Sequence, residues 1–229
     1  MTNYGQFCPV AQALEIVGER WTLLVVRELL CGNYRFGEIM QGLPLISRSV
    51  LSQRLKSLED AGLLERRQSG GRHNTVYKLT EAGRELEPLV MGLGVWGQRW
   101  SNRDYDAQDL DPGLMMWDLR RRLDLDRIPE RQVVVMFWYR DVATRRSRYW
   151  LRIKRPEVDL CLTNPGFPVE LNVETTIRTM VDVWMGNRDL REALRSGALK
   201  LEGPSSLVRA FPSWLLLSTF SRVESAAGA

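Results

Sequence analysis

Between positions 46 and 64 the hydrophobic residues recur with a helical period. Projected at about 100° per residue, Val50, Leu51, Leu55 and Leu58 gather on one side, and Ser49, Ser52, Gln53 and Lys56 on the other, with Arg48 at its edge. Ser47 stands where an N-cap belongs, and Ile46 and Leu51 are spaced for a hydrophobic staple across it. Downstream, 63–67 and 75–79 are short strand-like runs joined by Gln68-Ser69-Gly70-Gly71-Arg72-His73-Asn74, a glycine-rich hairpin loop carrying a cation. Upstream, 20–30 is a mostly buried helix, and 35–40 a short one closed by Gly42-Leu43-Pro44. The predicted order is helix, helix, turn, helix, strand, loop, strand.

That order is a winged helix-turn-helix, a DNA-reading arrangement, and the polar face of its third helix suits the task. No carboxylate lies among Arg48, Ser49, Ser52, Gln53 and Lys56. Gln pairs bidentately with adenine and Arg with guanine, while hydroxyls and Lys take phosphates. The plainer alternative is a solvated helix face. Charge placement favours DNA: positions 35–78 hold eight Lys and Arg against four Asp and Glu, concentrated where phosphates would lie. The predicted DNA-contacting set is Ser47, Arg48, Ser49, Ser52, Gln53 and Lys56, with Arg72 and His73 from the loop.

A single helix is predicted over 80–101. Its Leu86, Leu89, Val90, Leu93, Trp96, Gly97 and Trp100 exceed what a unit of about 100 residues buries, so this surface calls for a partner. Two partners fit, a second copy of the chain or the second half of the same one. The stretch 101–113 is acidic and polar and ends in Pro112-Gly113, which marks a linker. The expected division is 1–103, a linker over 104–113, and 114–229.

The second half begins with a helix near 114–124 and turns to strands at 133–139, 149–154, 158–163 and 169–173. Three alternate, with Tyr149, Leu151 and Ile153, then Val158, Leu160 and Leu162, then Val169, Leu171 and Val173 each on one face. The run Val133-Val134-Val135-Met136-Phe137-Trp138-Tyr139 does not, and belongs at the centre of a sheet or under cover on both sides. A helix over 175–185, another opened by Asn187 and ended by Gly197, a strand over 198–202 and a helix after Pro204 complete an α+β pattern.

Several motifs in order, Cys8-Pro9-Val10-Ala11, Gly18-Glu19-Arg20-Trp21-Thr22, Arg35-Phe36-Gly37-Glu38-Ile39, Leu55-Lys56-Ser57-Leu58-Glu59 and Tyr77-Lys78-Leu79-Thr80-Glu81-Ala82-Gly83, resemble the HxlR-type bacterial transcriptional regulators over about 6–101. The resemblance implies a two-fold homodimer built from the first and last helices of the domain and a near-palindromic operator. Residues 115–223, chiefly Val183-Trp184-Met185-Gly186-Asn187-Arg188-Asp189-Leu190 and Gly197-Ala198-Leu199-Lys200-Leu201-Glu202-Gly203, resemble the sterol carrier protein type two fold, small α+β domains with an antiparallel sheet and helices around an apolar tunnel. That implies a pocket for a hydrophobic small-molecule effector, with Phe137, Trp138, Tyr149, Trp150, Met180, Trp184 and Met185 as lining, although each also suits plain core.

Composition narrows the remaining classes. No run of about 18 apolar residues spans a membrane, and the first residues lack a cationic start and apolar stretch, so a cytoplasmic protein is expected. The net charge of +4 is mild. A lone histidine, His73, and three cysteines without CxxC spacing argue against a catalytic triad, a zinc site or a cofactor, and no enzyme is expected. Cys8 precedes Pro9 at a helix start, where N–H groups and the dipole favour thiolate. In some HxlR-type proteins the cysteine at this position senses oxidants, quinones or aldehydes. The alternative function is therefore a thiol-based regulator acting through Cys8, with the second half serving dimerisation. Cys31 is expected in the core and Cys161 partly exposed.

Overall fold

The computed structural model describes residues 3–68, 75–101, 105–106, 109–224 and 226. It divides into two compact units, Met1–Gly97 and Gln98–Ala229.

The first unit opens with α1 (Pro9–Val17), α2 (Thr22–Leu30), α3 (Phe36–Gly42) and α4 (Arg48–Asp60). Strands β1 (Leu64–Gln68) and β2 (Thr75–Leu79) then pair antiparallel, with Leu64 opposite Leu79. Val25, Val26 and Leu29 of α2, Ile39 of α3, and Leu51, Leu55 and Leu58 of α4 close one apolar core with Ile46 and Leu79. Inside it, Glu28 is fully buried. Its carboxylate accepts from Arg27 Nε at 3.0 Å and Nη2 at 2.5 Å and from Asn33 Nδ2 at 2.5 Å, while Arg27 Nη2 also donates to the Gly42 carbonyl at 3.1 Å. These hydrogen bonds offset the cost of burying the carboxyl group away from water. A Cβ at Gly42 would lie 2.0 Å from Glu28 Oε2, so glycine there leaves room for the carboxylate and its donors.

The helix expected over 80–101 is two helices, α5 (Glu81–Arg84) and α6 (Glu87–Trp100). Thr80 caps the first, its hydroxyl accepting from the Gly83 N–H at 3.2 Å. The break has a cause in Pro88, which has no N–H for the Arg84 carbonyl and whose ring would press on it, so helix restarts with Pro88 in its first turn.

The second unit starts at α7 (Pro112–Arg120), capped by Asp111, whose carboxylate accepts from the Leu114 N–H at 2.8 Å. The expected linker is thus partly structured: Asp111 and Pro112 belong to this helix, and the Tyr105 carbonyl accepts from Arg178. Strands β3 (Val133–Tyr139), β4 (Arg148–Lys154), β5 (Glu157–Cys161) and β6 (Leu171–Thr175) follow, then α8 (Ile177–Met185), α9 (Leu190–Arg195), β7 (Lys200–Glu202) and α10 (Ser205–Ala210). Asp189, rather than Asn187, caps α9, accepting from Glu192 N at 2.8 Å.

The sheet order is β5-β4-β3-β6-β7. β3 is central, as its unbroken apolar run predicts. The expectation of an antiparallel sheet is corrected, because β6 runs parallel to β3, with Val135 opposite Leu171 and Phe137 opposite Val173. The chain leaves β5 at one edge and crosses to the far side of β3 before entering β6. Alternation sets which face a side chain takes and is silent about strand direction, so the sequence pattern could not show this. On one face of the sheet, Phe137, Tyr139, Leu151 and Val173 pack with Met116 and Leu119 of α7, Met180 and Val183 of α8, Leu207 of α10, and Phe211 and Trp214 beyond it.

Candidate nucleic-acid interface

Helix α4 begins where its chemistry allows. The Ser47 hydroxyl accepts from the Val50 N–H at 3.2 Å and lies 3.0 Å from the Ser49 hydroxyl, while Ile46 and Leu51 are both buried across the cap. With Leu51, Leu55 and Leu58 locked into the core, the opposite face is fixed, and Ser47, Arg48, Ser49, Ser52, Gln53 and Lys56 are all exposed. The structure brings these six together. Ser47 is committed to the cap and so positions the helix, which leaves the other five as candidate contact groups.

Cations divide by position. Arg54 turns away from the polar face, its side chain 11% exposed and its Nη1 3.3 Å from Glu19. Arg67 is paired with Glu65 at 2.7 Å, and Lys78 sits 6.0 Å over the Tyr34 ring. Among the described residues no ion pair engages Arg48 or Lys56, which leaves their charge available to an outside anion. Arg72 and His73 lie outside the described residues.

Helix α6, which runs a few residues past Gly97, the last residue of this unit, carries a second, apolar surface. Along α6, Leu89, Leu93, Trp96 and Trp100 form a stripe at helical spacing and stand out from the fold, Trp96 with 62% of its surface exposed. Leu86, just before α6, and Val90 pack against the core. Near α1, Phe7, Val10 and Leu14 are likewise exposed.

The HxlR-like helix-turn-helix family matches residues 16–105. The HTH-type transcriptional regulator YvaP of Bacillus subtilis is 37% identical over 100 residues, which is 43% of this chain and 93% of that protein. The chain belongs to the HxlR-like helix-turn-helix family. The HTH-type transcriptional regulator Rv3095 of Mycobacterium tuberculosis is 44% identical over 95 residues, or 41% of this chain, and the match spans only 60% of that relative's length. A solved structure of the redox regulator HypR in its reduced form shares 34% identity over 42% of this chain and 95% of its own, with a TM-score of 0.39. The family match ends at residue 105, so the second unit stands on its own structure.

Within the HxlR-like unit, Cys8 is the N-cap of α1 with Pro9 following. The N–H groups of Ala11 and Val10 hold its thiol below the usual cysteine range. Cys31, expected in the core, is exposed. It ends α2, where the helical period carries it past the buried side. Cys161 lies on β5, and burial pushes its thiol up, with Asp159 adding to the shift.

In the second unit the proposed lining splits in two. Phe137, Tyr149, Met180 and Trp184 enter the apolar cluster beneath the sheet, and Met185 packs at its margin. Trp138 and Trp150 occupy alternate strand positions and so point to the opposite face, where the Arg148 guanidinium lies 5.7 Å over the Trp138 ring. Phe211 and Trp214 belong with the first group, their rings 5.7 Å apart, and Phe211 is 6.2 Å from Phe137. A groove of about 460 Å³ along β7, lined by Leu194, Leu199, Leu201 and Val208, contains none of the expected lining residues. Among the described residues no group of three His, Cys, Asp or Glu could hold a metal ion, and no helix is long and apolar enough to cross a membrane.

Sequence reading also missed a hollow of about 290 Å³ beside α4, between Leu14 and Ile16 of α1, Arg20, and Gln53, Arg54 and Ser57 of α4. Its walls come from separate segments, and no local pattern links them.

Proposed function

We propose that the chain is a transcriptional regulator that binds operator DNA as a homodimer through α4. The observation that carries this is the exposed, acid-free face of Arg48, Ser49, Ser52, Gln53 and Lys56 on a helix whose other side is locked in a closed core. The apolar stripe of α6 and the exposed residues near α1 supply a self-complementary surface of the kind a two-fold interface uses. Two such helices about 34 Å apart would meet successive turns of one DNA groove. The setting is the cytoplasm, where the operator is.

In this proposal 1–103 binds DNA and dimerises, 104–113 connects, and 114–229 senses a hydrophobic small molecule in a sterol-carrier-like domain. The support is its α+β build and the aromatic-rich cluster of Phe137, Tyr149, Trp184, Phe211 and Trp214 beneath the sheet. A ligand shifts an equilibrium only by its differential affinity for the two states, so an effector here must favour one arrangement of the DNA-binding dimer. The test is protection mapping of duplexes selected from a random library by the full-length protein. The expected result is one protected region with two related half-sites about 10 base pairs apart, centre to centre. Protection without a recurring sequence, or of a single half-site, would overturn the dimeric-operator reading.

Cys8 favours a second reading, a thiol sensor in which the second unit serves dimerisation. With its thiol lowered and that of Cys161 raised, Cys8 carries a larger fraction of thiolate than Cys161 at any given pH. Iodoacetamide at pH 7 should therefore label Cys8 more than about tenfold faster, and the gap should narrow as pH rises past the ordinary thiol range near about 8.5. Equal labelling rates by mass mapping across that range would count against it.

A further inference from the structure

The hollow beside α4 leaves a hydrogen-bond demand of one sign. Its two carboxylates already have donors, Glu15 Oε1 taking the Tyr4 N–H at 2.7 Å and Glu19 Oε2 taking Arg54 Nη1 at 3.3 Å. Its donors are less well served. Arg54 Nε is buried without a hydrogen-bond partner among the described residues, and the Arg20 guanidinium lies over the Trp21 ring at 5.0 Å. An unpaired buried donor is costly, and the group that relieves it is an acceptor. Leu14, Ile16 and Ala61 add an apolar part to a wall that is otherwise largely polar.

We propose that this hollow binds a small monocarboxylic acid, with its carboxylate toward Arg54 and Ser57 and its apolar body against Leu14 and Ile16. Glu19 is 59% exposed and can swing out as the ligand carboxylate takes over its place on Arg54. The volume of about 290 Å³ is at the small end of ligand pockets and suits a molecule of about ten heavy atoms. Gln53 is shared by this wall and by the DNA-facing side of α4, so an acid seated here biases the side chain that reads the operator. Binding of the acid stands on the hollow alone; its effect on DNA rests on the assignment of α4 as the reading helix.

The probe is benzoate, with benzamide as its neutral isostere, titrated into the full-length protein and followed by amide chemical shifts. Benzoate should move the amides of Gln53, Ser57 and Ile16, and benzamide should bind at least about tenfold more weakly, since a charged acceptor on an arginine is the stronger bond. Arg54→Met should abolish the preference for the acid. Ala61→Leu, which adds bulk to the lining and keeps the guanidinium, should weaken both probes and decides the matter if Arg54→Met does not fold. Saturating benzoate should weaken operator binding about threefold or more. Shifts confined to other regions, equal binding of acid and amide, or benzoate binding that survives Ala61→Leu would overturn the site. Benzoate binding at the hollow with operator affinity unchanged would overturn its regulatory role and leave the α4 assignment to its own tests.

Discussion

Trp96→Asp is expected to leave the protein monomeric and to weaken operator binding by about 10³-fold or more, toward the non-specific range. The tryptophan lies in the exposed stripe with Leu89, Leu93 and Trp100, and an aromatic side chain of this size buries about 150–250 Å² when covered. At about 25 cal/mol per Å² its burial is worth several kcal/mol, and a two-fold interface counts each residue twice. An aspartate there would lose that gain and place two carboxylates in an apolar seam. The monomer keeps one reading helix, so it forfeits the second half-site. Because Trp96 stands clear of its own unit's core, the variant should still fold cooperatively, melting below the parent only by the stabilisation that dimerisation adds. Sedimentation shows the assembly state and fluorescence anisotropy the affinity; a Trp96→Asp protein that remains dimeric and binds as before would remove α6 from the interface.

How much was legible depends on how local each cause is. The start of α4 is a local event, with Ser47 accepting a first-turn N–H and Ile46 meeting Leu51, and the period of Leu51, Leu55 and Leu58 fixes the exposed face. The exposed set on α4 followed directly. β3 is similar, since seven consecutive apolar residues suit only a covered central strand. The break before α6 was also local, yet the apolar positions on either side of Pro88 keep the helical rhythm and mask the missing hydrogen bond.

Other features depend on residues distant in the chain. Glu28 reads as an acid misplaced in an apolar helix until Arg27, Asn33 and Gly42 are assembled around it. The parallel pairing of β3 and β6 depends on a crossover that alternation does not encode. Trp138 and Trp150 were grouped with Phe137 and Tyr149 by type, and the strand period separates them, since neighbouring residues on a strand point to opposite faces. The hollow beside α4 needs α1 folded against α4 before it exists at all.

The central claim is that one face of α4 reads base edges, and Gln53→Ala with Lys56→Ala tests it. Gln53 is exposed on that face and has the two-pronged amide that matches adenine, so truncation should cost about 1–3 kcal/mol at one base position and abolish preference there while other positions keep theirs. Lys56 is exposed and, among the described residues, in no ion pair. Its loss should weaken binding alike on all sequences and lower the dependence of log affinity on log salt by about one unit, the signature of one phosphate contact. The measurement is anisotropy titration of the full-length protein on the selected operator and its single-base variants at several salt concentrations. The account predicts a base-specific loss for Gln53→Ala and a sequence-independent, salt-linked loss for Lys56→Ala; affinity, base preference and salt slope unchanged in both correctly folded variants would contradict it.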